Sequence, residues 1–204
     1  MSAYVIGLTG GIACGKSNLS SALRAAGAQV IDADALSRAT TAPGGPALPA
    51  IRSAFGDAVF DGNALNRRAL GQLVFADASA RAALNGIIHP LVLAQMRREI
   101  DSREGIVFLD VPLLYECGID RWCNEVWCAY VPQREQLRRL RARDGLTGKE
   151  ALSRVRAQMP PREKARRADQ IIRTDGSRES SAQIVLSLWQ DRLAKFSQAK
   201  GETP

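Results

Sequence analysis

Residues 3–18 read AYVIGLTGGIACGKSN, and this stretch decides the fold. Its first seven residues are an apolar run rich in β-formers, typical of a buried strand, and a helical pattern begins at Lys16. Between them lies Gly10-x-x-x-x-Gly15-Lys16-Ser17, in the strand-to-helix context that marks a phosphate-binding loop. The glycines let backbone N–H groups turn toward phosphate oxygens, and the helix presents its positive end to them. The motif predicts that Lys16 neutralises β- and γ-phosphates and that the Ser17 hydroxyl holds Mg²⁺.

The rest of the chain alternates between strand and helix patterns. Buried-strand patterns occupy residues 28–32, 105–111 and 125–131, and a last short strand is predicted at 170–173. Helical patterns occupy residues 16–26, 50–55, 66–75, 78–102, 134–143, 148–158, 161–168 and 177–196. No convincing strand lies between residues 36 and 104, so a helical insertion is expected there. Strands alternating with helices predict an α/β sandwich built on a largely parallel sheet.

The composition is that of a globular protein of one domain, with 204 residues, 46% hydrophobic and 24% charged. His89 is the single histidine, and the four cysteines show no C-x-x-C spacing, which argues against a zinc site. No apolar stretch reaches the roughly 18 residues of a membrane span. We therefore expect a cytoplasmic protein with reduced thiols and no membrane association.

The positive charge is concentrated in one segment. The chain has a net charge of +7, while residues 134–167 alone hold 12 Lys/Arg against 4 Asp/Glu. Such a segment meets the phosphates of a small ligand or of a nucleic acid, or is simply a solvated helix surface. It contains no aromatic residue on which bases could stack, so nucleic acid is not the expected partner.

Carboxylates follow two of the predicted strands. Asp32-Ala33-Asp34 ends the second strand, and in an extended segment Asp32 and Asp34 would share one side. One of them could accept a proton from an attacking hydroxyl or help to hold Mg²⁺, but a helix N-cap is an equally good interpretation of Asp32. Asp110 closes the buried run 106–109 and has two interpretations, an acidic residue opposite the phosphate loop or a plain strand-end cap.

Further candidates come from single residues. His89 precedes Pro90, which biases its backbone away from helix, and its ring either faces a pocket at a bend or is structural. Arg139 and Arg143 are spaced i, i+4, so both could reach one polyphosphate from a predicted helix. Cys14 lies in the phosphate loop, where the N-terminus of the following helix could lower the pKa of its thiol.

A set of segments spread along the chain resembles the dephospho-coenzyme A kinase family. These segments are GLTGGIACGKS (7–17), VIDAD (30–34) with Arg38, FGDAVFDG (55–62), NRRALGQLVF (66–75), HP (89–90), DVPLLYE (110–116), EQLRRLRARDGLTGKEA (135–151), RAQMPPREK (156–164) and ADQII (168–172). The resemblance implies a P-loop NTPase three-layer sandwich with a central parallel sheet. It implies a nucleotide-binding core at about 1–35, 105–132 and 168–200, a helical acceptor-binding insertion at about 36–104 and a small helical lid at about 133–167.

The resemblance also implies an activity, the Mg²⁺- and ATP-dependent phosphorylation of the ribose 3′-hydroxyl of dephospho-coenzyme A. ATP would be bound by Gly10, Gly11, Ile12, Ala13, Cys14, Gly15, Lys16, Ser17 and Asn18. The catalytic residues would be Lys16, Asp34 as the base, and the lid arginines Arg139 and Arg143. The acceptor would meet Asp34, Arg38, His89, Leu113, Leu114, Tyr115 and Glu116, and Mg²⁺ would meet Ser17 and Asp110.

This chain departs from the family pattern at several positions. Ala13, Cys14 and Asn18 replace the usual glycine, serine and threonine of the loop, and Arg173-Thr174 stands where an asparagine is usual. Two other functions fit the residues alone. One keeps the fold and phosphorylates a nucleoside or nucleoside monophosphate, and the other is a nucleic-acid-associated ATPase that uses the basic segment.

Overall fold

The computed structural model describes residues 3–199, and a five-stranded sheet forms its centre. Seven strands are seen in this part of the chain: β1 (Tyr4–Gly10), β2 (Gln29–Asp32), β3 (Phe60–Asp61), β4 (Ala64–Leu65), β5 (Ile106–Asp110), β6 (Glu125–Tyr130) and β7 (Gln170–Arg173). The large sheet has the order β2-β5-β1-β6-β7. The pairs β1–β5, β1–β6 and β6–β7 are parallel, which confirms the predicted sheet.

Apart from α2, the helices fall where the sequence pattern predicted them, usually to within two residues. They are α1 (Lys16–Ala25), α2 (Ala33–Thr40), α3 (Leu48–Phe55), α4 (Arg67–Ala76), α5 (Ala78–Asp101), α6 (Gln133–Asp144), α7 (Gly148–Arg156), α8 (Pro161–Arg167) and α9 (Arg178–Ala199). Short 3₁₀ turns cover Asp57–Val59 and Ile119–Trp122. Across the described range 3–199, no helix is long and apolar enough to cross a membrane.

The chain divides into two compact units. One comprises the residues up to Ile31 and from Arg103 onward, and the other is Asp32–Ser102. The core of the first unit lies on the sheet and includes Ile6, Leu8, Phe108 and Trp127, all at most 1% exposed. Phe108 and Trp127 meet edge to face across β1, with ring centroids 5.2 Å apart.

The second unit has its own small core. Ala47, Ile51, Val59 and Leu70 are buried there against partly buried side chains of α4 and α5. The long helix α5 packs against α2, α3 and α4. The unit is therefore held together by helix packing around α5.

Two features of the second unit differ from the sequence expectation. Residues 60–65 form the antiparallel hairpin β3–β4, although no strand was expected between 36 and 104; strands of two residues carry no detectable alternation. Helix α2 begins at Ala33, so the expected extended Asp32-Ala33-Asp34 segment is wrong. Helix α5, in contrast, follows the predicted range and continues through His89 and Pro90.

Candidate active site

The phosphate loop joins the end of β1 to the start of α1. Gly15 is the residue before α1, and its backbone is in the left-handed region, with a φ of 80°. No side chain caps the first turn of α1. The Asn18 N–H donates to the Gly15 carbonyl at 3.0 Å, and the earlier N–H groups of the turn are the ones available to an anion, as at other helix N-termini. A Cβ at Gly10 would lie 2.8 Å from the Ala129 carbonyl oxygen, so this position requires glycine. Ala13 also lies in the left-handed region, at φ 59°, a conformation that costs a non-glycine residue about 1–2 kcal/mol.

Lys16 and Asp110 form an ion pair beside this loop. The Lys16 Nζ donates to Asp110 Oδ1, and the two side chains are only 12% and 5% exposed. Asp110 ends β5 and is in register with Leu8 of β1, so the carboxyl ends of adjacent parallel strands bring it to the loop. The second carboxylate oxygen lies 3.9 Å from Arg24 Nη2. The structure thus brings together a cation for phosphate and a carboxylate for a hard metal ion.

Arg139 also lies close to the phosphate loop. Its Nε donates to Glu135 at 2.7 Å and its Nη2 to the Thr174 carbonyl at 2.6 Å. A Cβ at Gly15 would be 3.7 Å from Arg139 Nη1, which places this guanidinium against the turn that precedes α1. Hydrogen bonds from Arg138 and Arg139 lower the pKa of Glu135 to about 2, so Arg139 keeps an ionised partner.

Arg143 lies one helical turn from Arg139 but has different partners. Its Nε and Nη2 donate to the Asp144 carboxylate at 2.7 and 3.1 Å, and Arg154 donates to the same carboxylate at 2.9 Å. The structure does not bring Arg143 to the loop as it does Arg139. Asp144, the last residue of α6, holds the guanidinium at the end of the helix.

Two glutamines, one in α6 and one just after α7, hold the backbone of a single residue of the phosphate loop. Gln158 Oε1 accepts from the Ile12 N–H at 2.8 Å, and Gln136 Nε2 donates to the Ile12 carbonyl at 2.7 Å. The side chains of Ile12 and Ala13 also pack on a small buried cluster formed by Leu140, Ala151 and Val155. Sequence reasoning missed both glutamines, since hydrogen-bond partners more than 100 residues apart leave no local pattern.

Cys14 does not have the reactive character that the sequence predicted. Its side chain is buried, and this desolvation raises the pKa of the thiol above its ordinary value. The predicted lowering is therefore wrong, because burial outweighs the favourable helix end. The Cys14 carbonyl accepts a hydrogen bond from Thr174 Oγ1 at 2.6 Å. Thr174, one of the departures from the family pattern, thus contacts the loop directly.

The segment that follows β5 is held by a buried lysine. Lys164 Nζ donates to the Pro112 carbonyl at 2.6 Å and pairs with Glu116 at 2.8 Å, and its side chain has no exposed surface. Glu116 also accepts from the Met159 N–H at 2.9 Å. Burial would raise the pKa of Glu116, but the bonds from Lys164 and Met159 outweigh it and keep the pKa below its usual value. Glu116, predicted to meet the acceptor, therefore has a structural partner.

The neighbours of Glu116 divide between core and surface. Leu114 and Tyr115 are buried, and Arg167 lies over the Tyr115 ring, 4.2 Å from its centroid. Leu113 is 38% exposed. Of this predicted set, Leu113 is the side chain with a free apolar surface.

The remaining predicted residues lie in the second unit. Asp32 is the N-cap of α2, its side chain accepting from the Ala35 N–H at 3.0 Å, which confirms the capping interpretation. Asp34 is exposed in the first turn of α2, and Arg38 follows one turn later on the same helix. Because the segment is helical, Asp32 and Asp34 do not share one side as expected. His89 is exposed within α5, directly before Pro90.

Comparisons with known proteins show the family of this chain. The family model for dephospho-CoA kinase matches residues 4–180. A dephospho-CoA kinase from Symbiobacterium thermophilum is 49% identical, over 91% of this chain and 80% of that relative. The crystal structure of TT1252 from Thermus thermophilus is 36% identical with a TM-score of 0.80, covering 95% of this chain and 99% of that one.

The fold also matches a dephospho-CoA kinase structure from Campylobacter jejuni. Its TM-score is 0.67 at 23% identity, over 92% of this chain and 96% of that one. The parallel sheet with flanking helices and a phosphate loop after its first strand is therefore the predicted P-loop kinase fold. With a family match over most of its length and a closely similar relative, this chain belongs to the dephospho-CoA kinase family.

Proposed function

We propose that this protein transfers the γ-phosphate of ATP to the ribose 3′-hydroxyl of dephospho-coenzyme A, giving coenzyme A and ADP. The observation that carries the proposal is the Lys16–Asp110 pair beside an uncapped phosphate loop, in a chain of this family. A loop of this kind binds a polyphosphate chain, and the family identity selects the acceptor.

The donor side of the reaction rests on charge neutralisation. Lys16 is positioned to move from Asp110 to the β- and γ-phosphates when ATP binds, because its side chain reaches the same edge of the sheet. Arg139, beside Gly15, adds a second cation for the charge that develops on the transferring group. Arg143 would need to exchange Asp144 for phosphate to join it.

Mg²⁺ fits the oxygen donors at this site. Within residues 3–199 no group of three or more His, Cys, Asp and Glu side chains forms a self-sufficient metal site. A buried carboxylate, Asp110, with the Ser17 hydroxyl suits an ion that is held jointly by protein and phosphates. The ion would neutralise phosphate charge, with Ser17 and Asp110 as its protein ligands.

The acceptor side of the reaction needs a group that takes the hydroxyl proton. In the reaction the ribose 3′-oxygen forms a bond to the γ-phosphorus, and the bond from that phosphorus to the bridging oxygen of ADP breaks. The hydroxyl proton passes to a carboxylate, for which Asp34 is our candidate, since it is exposed in the first turn of α2. We place Arg38, His89 and Leu113 on the acceptor side and expect neither a nucleic acid nor a membrane as partner, in a cytoplasmic enzyme.

The proposal is tested by product identification. The purified protein is incubated with Mg·ATP and dephospho-coenzyme A, with adenosine and AMP as parallel acceptors, and the products are identified by mass spectrometry. We expect a phosphate on dephospho-coenzyme A only. Phosphorylation of adenosine or AMP in preference would refute the acceptor, and ATP binding without any acceptor-dependent product would refute the reaction.

A further inference from the structure

The phosphate loop contains a tight turn whose third residue is strained. The Cys14 N–H donates to the Gly11 carbonyl at 3.1 Å, so residues 11–14 form a four-residue turn. Ala13 is the third residue of this turn and has a φ of 59°. Turns with a positive φ at this position normally have glycine there, because a Cβ is disfavoured in the left-handed region. Contacts from outside the turn must therefore hold Ala13 in this conformation.

A second conformation is open to the same four residues. In a type I turn the third residue has a negative φ, which alanine adopts without strain, and the hydrogen bond that closes the turn is kept. A type I turn and a turn with a positive φ at its third residue differ mainly by a rotation of the central peptide through about 180°. In this loop the central peptide joins Ile12 to Ala13. The type of turn therefore decides in which direction the Ala13 N–H points.

Two glutamines hold the residue that precedes Ala13. Gln136 Nε2 donates to the Ile12 carbonyl at 2.7 Å, and Gln158 Oε1 accepts from the Ile12 N–H at 2.8 Å. The Ile12 carbonyl belongs to the central peptide, which is trans, so this carbonyl and the Ala13 N–H point in opposite directions. Gln136 thus keeps the Ala13 N–H pointing away from α6. Within residues 3–199 that N–H has no protein acceptor, which leaves it available to a ligand.

Gln136 is not the side chain that stability alone would favour at its position. It is 1% exposed, and its Oε1 atom has no hydrogen-bond partner among the residues that the structure describes. A buried polar atom without a partner lowers stability, and an apolar side chain of similar length would avoid this loss. The amide lies against Gly11, where a Cβ would come within 2.6 Å of Nε2. The other half of the amide, which donates to Ile12, is therefore the feature that requires a glutamine.

Gln158 is fixed by its neighbour in the chain. The Met159 N–H donates to Glu116 at 2.9 Å, and Glu116 pairs with the fully buried Lys164 at 2.8 Å. This anchor keeps the backbone next to Gln158 in place. The Gln158 side chain can therefore hold the Ile12 N–H in one direction.

We propose that Gln136 and Gln158 are positioning residues that select the strained turn of the phosphate loop, so that the Ala13 N–H faces the polyphosphate of the donor. The inference rests on the proposed function, since it takes a nucleoside triphosphate as the ligand of the loop. Without the glutamines, Ala13 would return to a negative φ and its N–H would turn away. The loss of an N–H donor to phosphate weakens donor binding and leaves acceptor binding unchanged.

The first test removes the side chain that donates to Ile12. Gln136→Met keeps the length of the side chain and removes its unpartnered oxygen, so we expect it to fold, with a Tm within about 3 °C of wild type. Gln133→Met is the matched control, because Gln133 is exposed at the start of the same helix. Calorimetric titration with Mg·AMP-PNP should give a Kd about tenfold higher for Gln136→Met, the ratio that corresponds to the strain of a left-handed alanine. Equal Kd values for the two variants would overturn the proposal.

The second test separates selection of the turn from a merely structural role. Glycine adopts positive and negative φ about equally well, so Ala13→Gly removes the strain that the glutamines oppose. In the Ala13→Gly background, Gln136→Met should raise the Kd of Mg·AMP-PNP by about threefold at most, against about tenfold in the alanine background. The same loss in both backgrounds would overturn the proposal, because Gln136 would then act independently of the turn.

The third test uses the direction of the hydrogen bond from Ile12 to Gln158. Gln158→Glu keeps an oxygen that accepts from the Ile12 N–H, whereas Gln158→Met does not. We expect Gln158→Met to bind Mg·AMP-PNP about tenfold more weakly than wild type. Gln158→Glu should bind it more tightly than Gln158→Met, despite its added negative charge. Binding by Gln158→Glu that is no tighter would overturn the role of Gln158 as an acceptor.

Steady-state kinetics distinguish this inference from the proposed function. For Gln136→Met, kcat/KM for ATP should fall about tenfold, while the KM for dephospho-coenzyme A stays within about twofold of wild type. A higher KM for the acceptor with unchanged ATP parameters would overturn the assignment to the donor side. If wild type binds Mg·AMP-PNP but never phosphorylates dephospho-coenzyme A, the proposed function fails, and the Kd values still decide whether the glutamines select the turn.

Discussion

Removing Lys164 and removing Glu116 should lower the free energy of unfolding by unequal amounts, although the two residues form one ion pair. The Lys164 side chain has no exposed surface, whereas that of Glu116 is 24% exposed. Lys164→Met leaves the Glu116 carboxylate with the Met159 N–H and partial hydration. Glu116→Leu instead leaves a fully buried ammonium with the Pro112 carbonyl as its remaining acceptor. The Lys164 ammonium, which loses its partner in Glu116→Leu, is therefore less solvated than the Glu116 carboxylate that loses its partner in Lys164→Met.

The magnitudes follow from this difference in hydration. Breaking a buried ion pair by removing one partner costs about 3–5 kcal/mol. We expect about 4 kcal/mol for Glu116→Leu, which strands the buried ammonium. We expect about 2 kcal/mol for Lys164→Met, because water and a backbone donor partly satisfy Glu116. The double variant strands neither charge and should lose less free energy of unfolding than the two single losses added together.

The assay is urea unfolding at pH 7 of wild type, the two single variants and the double variant, each followed by circular dichroism. The free energies of unfolding form a double-mutant cycle. If Lys164→Met proved as destabilising as Glu116→Leu, or if the two losses simply added, the argument from burial would be refuted.

The same pair gives a pH dependence with a definite sign. Burial alone would raise the pKa of Glu116, but the hydrogen bonds from Lys164 and the Met159 N–H keep it below the ordinary 4.5. On acidification the unfolded chain therefore takes up this proton first, so the stabilisation is present above about pH 4.5 and is lost as the pH falls through the folded value. Between about pH 6 and 3, wild type should lose more unfolding free energy than Glu116→Leu. A difference that stays constant with pH would contradict this.

Three further outcomes are expected. Asp34→Asn should lower kcat about 100-fold or more with ATP affinity kept, and steady-state kinetics showing a loss of only a few-fold would remove Asp34 from the mechanism. Cys14 should resist iodoacetamide in the folded protein at pH 7.5, since burial raises its pKa; rapid modification, detected by mass spectrometry, would contradict the structure. Ala13→Gly should leave the free energy of unfolding within about 0.5 kcal/mol of wild type, because relief of about 1–2 kcal/mol of backbone strain is offset by a lost methyl contact and a more flexible unfolded chain. A loss above about 1.5 kcal/mol in thermal melts would refute that balance.

Local sequence patterns predicted the elements of the sheet well. The apolar runs that became β1, β5 and β6 are buried almost throughout, so they appear in the sequence as continuous apolar runs. The glycine motif identified Lys16 and Ser17 because it is confined to eight consecutive residues. Features encoded by neighbours in the chain were thus predictable.

Features that depend on distant residues were not. Gln136, Gln158 and Lys164 lie inside basic, helical segments where nothing distinguishes them from solvated side chains. Their roles arise from partners 124, 146 and 48 residues away, respectively. The start of α2 was missed because an aspartate after a strand serves equally well as a cap or as an extended residue, and the packing of α2 on α5 favours the helix.

The position of β1 in the sheet has a consequence for synthesis of the chain. β1 lies at the centre of the sheet, and its register partner for Tyr4 is Ile106, so about 100 residues must be made before it can pair. At roughly 5–20 residues per second, a ribosome needs roughly 5–20 s for this interval. The whole second unit, Asp32–Ser102, is synthesised within it. The helical unit can therefore begin to pack before the apolar first strand has a partner, and during this interval the unpaired strand is open to aggregation and to chaperones.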